Sequence, residues 1–256
     1  MKTTLIGTGN VGTNLQAALT KAGHEVVWLR GRDFKAEDIR GEVVIVSVKD
    51  DALPAVASKL GNTGALVVHT AGSIHMNALP CPRRGVLYPM QTFSKSRLVD
   101  FKSVPLFLET EREEDMALLD ELSRTISDSI HHTDSEGRRL LHLAAVFASN
   151  FANHCYALSA DILKAKGIDF DVMLPLIDET ARKVHQLPPR EAQTGPAVRG
   201  DEGVIKKQSE MLSGTCKEVY ELMSRSIQER PLSGSPEGEK ERKDPLYLSL
   251  EGRERI

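Results

Sequence analysis

Hydrophobic positions follow two alternating patterns over the first 130 residues. Short apolar runs, typical of strands, are separated by segments whose apolar residues recur every three or four positions, as in helices. The strand-like runs are residues 3–6, 25–29, 43–48, 65–69, 86–88 and 104–108. Between the third and fourth runs, Asp50 is placed to cap a helix that Gly61 would close. This alternation predicts a mostly parallel sheet wrapped by helices.

The pattern changes after about residue 134. Residues 135–166 contain no proline and one glycine, Gly137, which predicts a single helix about 45 Å long. A second helix is predicted from about Asp169, and a third over residues 204–227 after a loop rich in proline and glycine. The second half is therefore expected to be all-helical. Residues 228–256 are mostly charged, and we expect a flexible tail there.

A glycine motif lies between the first strand-like run and the first helical segment. It comprises Gly7, Thr8, Gly9, Asn10, Val11 and Gly12. In this context Gly7 permits a tight turn, Gly9 lets the backbone approach a pyrophosphate, and Gly12 lets the helix pack on the strand. Free N–H groups at the helix start would face the phosphates. The motif predicts a dinucleotide-binding Rossmann domain, and the alternative is a glycine turn that binds nothing.

The end of the second strand-like run distinguishes between two dinucleotides. NAD-binding chains place an acidic residue about 20 residues after the glycine motif, to hold the ribose hydroxyls. This chain has Arg30 and Arg32 there, and guanidinium groups pair with a 2′-phosphate. The sequence therefore favours NADP over NAD as the cofactor. Asp33 is close enough to be a rival, and the arginines could instead be a solvated loop.

Composition removes several other classes of function. A net charge of −3 gives no basic field for nucleic acid. The three cysteines, Cys81, Cys155 and Cys216, and the eight histidines have no ligand spacing, so we expect no metal site and no disulfide framework. No apolar run is long enough to span a membrane, and the N-terminus does not resemble a signal peptide. We expect a cytoplasmic protein that binds neither nucleic acid nor membranes.

Several motifs together resemble one family over residues 1–227. They are GTGNVG, VVIVSVKDDAL, VVHTAGS, GVLYPMQTFSK, LAAVFASNFANH and TGPAVRGD. The family is the Rossmann-like oxidoreductases with a DUF2520 C-terminal domain, often labelled NADP oxidoreductases or F420-dependent NADP oxidoreductase-like proteins. More distantly, the chain is similar to pyrroline-5-carboxylate reductase and the 6-phosphogluconate dehydrogenase-like superfamily. These relatives imply a helical second domain that dimerises, and an active site in the cleft between the domains.

The expected architecture is thus α/β. A doubly wound Rossmann domain that binds NADP would span residues 1–133, and an all-helical, DUF2520-like domain for dimerisation and substrate would span 134–227. The helical domain would resemble the C-terminal domain of 6-phosphogluconate dehydrogenase. The charged tail, 228–256, would follow. We expect a homodimer through the helical domain, where a long alanine-rich helix suits close packing.

The resemblance also implies sites after the third and fourth strands. Val48 and Lys49 would contact the adenosine and ribose, whereas Ala71, Gly72 and Ser73 would lie near the nicotinamide. The crevice beyond the carboxyl ends of parallel strands is where such sheets bind ligands, which gives this placement a physical basis.

Three residues are candidates for handling the proton in catalysis. His69, at the end of a strand, is the first; the alternative is a buried histidine satisfied by backbone. Asn150 and His154 interrupt an otherwise apolar stripe on the long helix, where a buried amide or imidazole would need partners. They could equally join helices in a dimer core.

Substrate-binding candidates follow from position and charge. They are Ser73, Gln91, Asn153 and Arg199. Arg199 could clamp a substrate carboxylate, whereas Asp201 is better interpreted as a helix cap. Tyr88 could line the cleft or be a packed aromatic residue, and His131 and His132 are interpreted as structural.

The long helix departs from one pattern of the superfamily. Several of its dehydrogenases that act on hydroxyacids use a helix lysine with an asparagine one turn later, but this chain has no lysine between Arg139 and Leu163. The signature of pyrroline-5-carboxylate reductase is also missing from this helix. The function expected is an NADP(H)-dependent oxidoreductase that reduces a C=O or C=N group of a small polar substrate. The alternative is a non-catalytic NADP(H)-binding sensor or scaffold; electron exchange with a deazaflavin rests on the family label alone.

Overall fold

A computed structural model describes residues 1–229 of the chain and contains a seven-stranded sheet. The strands are β1 (Lys2–Ile6), β2 (Glu25–Leu29), β3 (Val43–Val46), β4 (Leu66–His69), β5 (Arg84–Pro89), β6 (Leu106–Thr110) and β7 (Ile130–His132). Their order is β2-β1-β3-β4-β5-β6-β7, and all neighbours are parallel except β5 and β6. This confirms the expected α/β class with a mostly parallel sheet. The strand order extends from β1 to one side through β2 and to the other side through β3. Rossmann folds bind their ligands at this switch between β1 and β3.

The sheet is covered on both faces. One hydrophobic cluster includes Leu5, Leu15 and Ile45, and the other includes Ile6 and Val44, so successive strand residues enter opposite clusters. All four residues of β3 are buried, which explains why that run is uniformly apolar.

Strand ends differ from expectation where polar residues interrupt the apolar pattern. β3 ends at Val46, two residues before the predicted end, and β5 extends over Arg84 and Gly85, which carry no apolar signal. The edge strand β7 was not predicted because two of its three residues are exposed histidines. The main apolar runs therefore predict where the strands of the sheet lie, but polar residues at the strand ends prevent the sequence from giving each strand's first and last residue.

Four helices accompany these strands. They are α1 (Asn10–Lys21), α2 (Leu53–Ala57), α3 (Glu113–Ile126) and α4 (Ser135–Ala145). The prediction that Asp50 caps a helix closed by Gly61 is wrong, because Asp50–Ala52 forms a 3-10 turn and α2 ends at Ala57. The Asp50 carboxylate instead accepts a hydrogen bond from Ser73 Oγ at 2.6 Å.

The expected long helix has a change of winding within it. α4 is followed by a π-helical segment, Val146–Phe151, and then by α5 (Ala152–Lys164). A π turn contains more residues than an α turn, so it displaces the side chains after it from a regular helical wheel. Asn150 and His154 are exposed in the single chain, so burial of either side chain would need a partner outside it.

Four more helices follow in the described part of the chain. They are α6 (Leu174–Lys183), α7 (Pro189–Ala192), α8 (Glu202–Glu210) and α9 (Gly214–Gln228). The single helix predicted over residues 204–227 is wrong: the chain turns after Glu210, and Gly214 begins α9 with a left-handed φ of 56°. No helix in the described part of the chain combines the length and apolarity needed to cross a membrane.

The chain divides into two compact units, Met1–Asn153 and the residues from His154 onward. The domain roles expected for 1–133 and 134–227 stay predictions. The flexible tail expected at 228–256 lies outside the described residues, apart from its first two positions.

Candidate functional site

A cavity of about 1080 Å³ opens among the loops that follow β1, β2, β3, β4 and β5. Its walls include most of the expected cofactor residues, namely Gly7, Thr8, Gly9, Asn10, Val11, Arg30, Arg32, Val48, Lys49, Ala71 and Gly72. Every residue that lines it belongs to the Met1–Asn153 unit. Because the loops leave the carboxyl ends of parallel strands, the cavity lies where this class of sheet binds nucleotides.

The glycine loop is shaped by close backbone approaches. Gly7 has a φ of 124°, and a Cβ there would lie 1.9 Å from the carbonyl oxygen of Ser47. A Cβ on Gly12 would lie 2.4 Å from the Gly7 carbonyl oxygen, whereas a Cβ on Gly9 would meet nothing within 4 Å. Gly7 and Gly12 are therefore required by packing. Gly9 leaves open space beside the cavity, which fits the close approach of a pyrophosphate.

The start of α1 provides hydrogen-bond donors beside this open space. The helix begins at Asn10, and no side chain caps it. The first N–H groups of a helix lack intrahelical partners and favour negative charge. Loop and helix together thus fit a phosphate group without any added side chain.

Trp28 supports the loop and was missed by the sequence analysis. Its indole Nε1 donates to the Gly7 carbonyl oxygen at 2.9 Å, although the residue is 41% exposed. Trp28 is the single tryptophan of the chain, at the second-to-last position of β2. It therefore reports optically on the loop it holds.

Arg30 and Arg32 lie on the cavity wall beside Asp33. Both arginines are exposed, and neither guanidinium forms an ion pair among residues 1–229. Their loop is anchored by Lys59, whose Nζ donates to the Arg32 carbonyl oxygen at 3.0 Å and lies 5.6 Å from the Phe34 ring centroid. Two cationic groups on an anchored loop fit a phosphate, and Asp33 beside them fits a ribose hydroxyl.

His69 does not line the cavity. It is fully buried at the end of β4, and its Nδ1 accepts a hydrogen bond from the Ala71 N–H at 3.2 Å. Burial, and then the charge of Arg138, lower the pKa of His69 to about 4. A neutral imidazole enclosed in this way is a poor proton donor near neutral pH, so the structure favours the alternative of a buried histidine. The backbone satisfies only Nδ1 of that ring, since Nε2 has no hydrogen-bond partner among the described residues.

Two other residues form a polar pair on the cavity wall. The Tyr88 Oη, at the end of β5, lies 3.1 Å from Nδ1 of His142 on α4. Both residues line the cavity. Tyr88 was considered as a cleft residue, but His142 was missed. The sequence feature that could have identified His142 is its position in an apolar run, one helical turn after Arg138.

A buried charged cluster anchors α4 to the sheet. Arg138 is fully buried and forms an ion pair with Glu109 of β6, while its second nitrogen donates to the Ile74 carbonyl oxygen. Ser135 Oγ donates to Glu109 Oε1 at 2.7 Å, and it accepts from the Met76 N–H at 3.1 Å. The cluster lies one turn before His142, so it fixes the part of α4 that carries that residue.

The remaining expected site residues fall into two groups. Gln91 lines the cavity together with Phe93 and Lys95, on a loop whose Ser94 carbonyl oxygen accepts from Asn14 Nδ2 at 2.9 Å. The cavity is not lined by Ser73, Asn150, Asn153, His154 or Arg199.

Structural roles were expected for Asp201, His131 and His132, and the contacts of each residue agree with that expectation. Asp201 accepts from the Val204 N–H at 3.2 Å, as a cap should. His131 stacks on Phe107 with ring centroids 5.0 Å apart, and His132 Nε2 lies 2.9 Å from an oxygen of Asp120. Among the described residues, no group of three or more metal-ligating side chains could hold a metal ion.

Comparisons with known proteins agree with this geometry. The family model described as a domain of unknown function, DUF2520, matches residues 104–227. A crystal structure from Bacteroides fragilis, described as a putative NADP oxidoreductase, is 44% identical with a TM-score of 0.82, covering 90% of this chain and 98% of that one. A protein from Thermotoga maritima is 21% identical with a TM-score of 0.68, covering 94% and 99%.

A more distant structure shows the same fold. The imine reductase from Myxococcus stipitatus, in complex with NADP+, is 14% identical with a TM-score of 0.65, covering 90% of this chain and 93% of that one. No match was found among curated proteins. The chain has the fold of NADP-binding oxidoreductases, and it belongs to the family of Rossmann-like proteins that carry a DUF2520 domain.

Proposed function

We propose that this protein is an NADP(H)-dependent oxidoreductase that reduces a C=O or C=N group of a small polar substrate. The observation that carries the proposal is that one cavity wall joins the glycine loop to the polar pair Tyr88 and His142. The same wall carries Arg30 and Arg32, which form no ion pair within residues 1–229. The relative from Bacteroides fragilis, described as a putative NADP oxidoreductase, covers 90% of this chain and supports the same proposal.

Each part of the cavity has a role in this proposal. The free N–H groups of α1 and the open space at Gly9 would hold the pyrophosphate, and Arg30 and Arg32 would pair with the 2′-phosphate. Val48 and Lys49 would lie against the adenosine side, with Ala71 and Gly72 nearer the nicotinamide. The proposed binding site lies within the cavity of the first unit. Of the expected substrate-binding residues, it includes Gln91.

The first test compares two cofactors on one protein. NADP+ should raise the melting temperature more than NAD+ at equal concentration, because only NADP+ offers the 2′-phosphate to the arginines. Replacing both (Arg30→Ala with Arg32→Ala) should weaken NADP+ binding about 10- to 100-fold, as expected for lost hydrogen bonds to a charged group. NAD+ binding should change little.

The control is Arg182→Ala, which removes an exposed arginine outside the cavity lining. It should leave both melting shifts as in the wild type. Equal shifts for NAD+ and NADP+ in the wild-type protein would contradict the assignment of the arginines.

A non-catalytic NADP(H) sensor is the second candidate. It is favoured by the absence of lysine between Arg139 and Leu163, where several related dehydrogenases carry a catalytic one. The two candidates agree on cofactor binding and differ in turnover. Consumption of NADPH with any carbonyl or imine substrate would exclude the sensor.

We also propose that the protein forms a homodimer through its helical half. Large apolar side chains are exposed along α4, the π-helical segment, α5 and α6, namely Leu140, Leu143, Phe147, Phe151, Tyr156, Ile162, Leu174 and Leu176. Large apolar side chains exposed on each of the two units are typical of an interface. The partner expected from the sequence is a second copy of the same chain.

A further inference from the structure

We propose that Tyr88 donates the proton in the reaction, that His142 returns a proton to Tyr88 from solvent, and that the substrate is a carbonyl compound. This inference rests on the proposed function and names the chemistry of the same cavity. It replaces His69, Asn150 and His154, which do not line the cavity, with two groups that do.

The contact between the two side chains supports a proton relay. The Oη of Tyr88 and Nδ1 of His142 are 3.1 Å apart, and the rings meet edge to face with centroids separated by 6.0 Å. When the histidine carries its hydrogen on Nδ1, it donates to the phenol oxygen. The phenolic O–H is then free to point at a substrate in the cavity.

The two residues differ in their access to water. Tyr88 is 8% exposed, whereas His142 is partly exposed. A relay needs this asymmetry, because the donor must act in a dry site while its partner exchanges protons with solvent. Burial raises the pKa of Tyr88, and the charge of Arg138 opposes that rise, so the phenol keeps its proton at neutral pH.

Local packing holds His142 in place. A Cβ on Gly72 would lie 2.6 Å from His142 Nδ1, so the loop after β4 must carry glycine for the imidazole to approach it. Arg138, one turn earlier on α4, is held by Glu109 and by the Ile74 carbonyl oxygen. Gly72 and Arg138 are therefore positioning residues, since they act through His142.

The step balances in atoms and electrons. NADPH, when bound, supplies the hydride. As the carbonyl carbon accepts the hydride, the π electrons of the C=O bond move to oxygen, and that oxygen takes the phenolic proton of Tyr88. Tyr88 recovers a proton from His142 Nδ1 as His142 takes up a proton from solvent at its other ring nitrogen. The sum is a carbonyl, NADPH and a proton giving an alcohol and NADP+.

The neutral phenol favours a carbonyl over an iminium substrate. The oxygen of a reduced carbonyl becomes strongly basic and needs a proton donor, which a phenol can be. An iminium already carries its proton and gains nothing from such a donor. A neutral phenol on the cavity wall therefore suits carbonyl substrates, which arrive without a proton on oxygen, such as aldehydes, ketones and 2-oxo acids.

The first experiment observes the pair without any substrate. Histidine ring NMR of the full chain is recorded for wild type, Tyr88→Phe and the control Tyr156→Phe, with His142→Asn assigning the signal. Tyr88→Phe should move the His142 signal, because the hydrogen-bond partner is gone. Tyr156→Phe should leave that signal unchanged. A His142 signal that is indifferent to Tyr88→Phe overturns the relay.

The second experiment measures turnover on a panel of small aldehydes, ketones and 2-oxo acids. Tyr88→Phe should lower kcat about 100- to 10,000-fold, the usual loss for a general acid, with the NADPH dissociation constant unchanged. His142→Asn should lower kcat less and should change the pH profile of the rate, which a merely structural residue would not do.

Three outcomes separate this inference from the proposed function. If the wild-type protein binds no NADPH, the proposed function fails. If it binds NADPH but reduces no member of the panel, the carbonyl assignment is overturned. If Tyr88→Phe binds NADPH and keeps full kcat, Tyr88 is not the donor. Thermal unfolding of each variant identifies any that does not fold.

Discussion

His69 and His142 lie beside the same loop after β4, yet their surroundings give them different chemistry. His69 is fully buried, and burial with the nearby charge of Arg138 lowers its pKa to about 4. His142 is partly exposed and hydrogen-bonds to Tyr88. The buried imidazole stays neutral and supports the loop, whereas the exposed one can exchange protons.

The buried state of His69 predicts a pH dependence of folding stability. Its folded-state pKa of about 4 lies below the ordinary value of 6.5, so between these values the unfolded chain binds more protons than the folded one. The contribution of neutral His69 is fully present above pH 6.5 and is lost as the pH falls toward 4. The loss is on the order of 3 kcal/mol in the free energy of unfolding.

Urea unfolding at a series of pH values between 4 and 7 measures this effect. His69→Asn should flatten the dependence over that range, while His185→Asn, at an exposed position, should not. Identical pH profiles for wild type and His69→Asn would show that His69 is not the group responsible.

Residues differ in how well the sequence could assign them. Gly7, Gly9 and Gly12 were predictable because their roles depend on neighbours a few positions away along one strand and helix. Tyr88 and His142 are 54 positions apart, and no spacing rule links them. The burial of His69 likewise depends on packing that the end of a strand does not reveal.

At the scale of elements, α4 is joined to the sheet by charge as well as by apolar packing. Arg138 is fully buried, and its Nε has no hydrogen-bond partner among the described residues. Glu109 is therefore the compensating charge for a guanidinium that has lost its water. This makes the position of α4, and of His142 on it, dependent on one carboxylate of β6.

Removal of that carboxylate should be costly. Glu109→Gln should lower the free energy of unfolding by about 3 kcal/mol, because a buried charge without a partner is strongly destabilising. Chemical denaturation measures the change. The matched control is Glu111→Gln, which breaks a half-exposed pair with Arg84 and should cost at most about 1 kcal/mol. Equal effects of the two substitutions would mean that the buried pair does not stabilise the fold.

Strands and helices could be predicted from the sequence where burial alone determines their pattern of apolar residues. β3 and β4 are covered on both faces, so their apolar runs are complete. The π-helical segment 146–151 was not predictable, because a shift in backbone hydrogen bonding leaves no mark on the apolar pattern. The break between α8 and α9 was missed because Gly214 is one permissive residue in an otherwise helical sequence.

At the scale of the whole molecule, exposed apolar residues predict self-association. Phe147 is 64% exposed, and its ring meets that of Phe151 edge to face with centroids 4.9 Å apart. Light scattering at micromolar concentration should give the mass of a dimer, and Phe147→Glu should shift it toward the monomer. The substitution Leu98→Glu, at a 55% exposed position on the loop before β6, gives a comparison. A wild-type monomer would contradict the proposal.

Trp28 offers an optical test of whether the cavity of the first unit binds NADPH. This single tryptophan donates to the glycine loop, and reduced nicotinamide cofactors absorb where tryptophan emits. Titration with NADPH should quench Trp28 emission at concentrations at least about tenfold lower than titration with NADH, the factor that about 1.4 kcal/mol of 2′-phosphate binding provides. Equal quenching by both cofactors, or none by NADPH, would contradict the account.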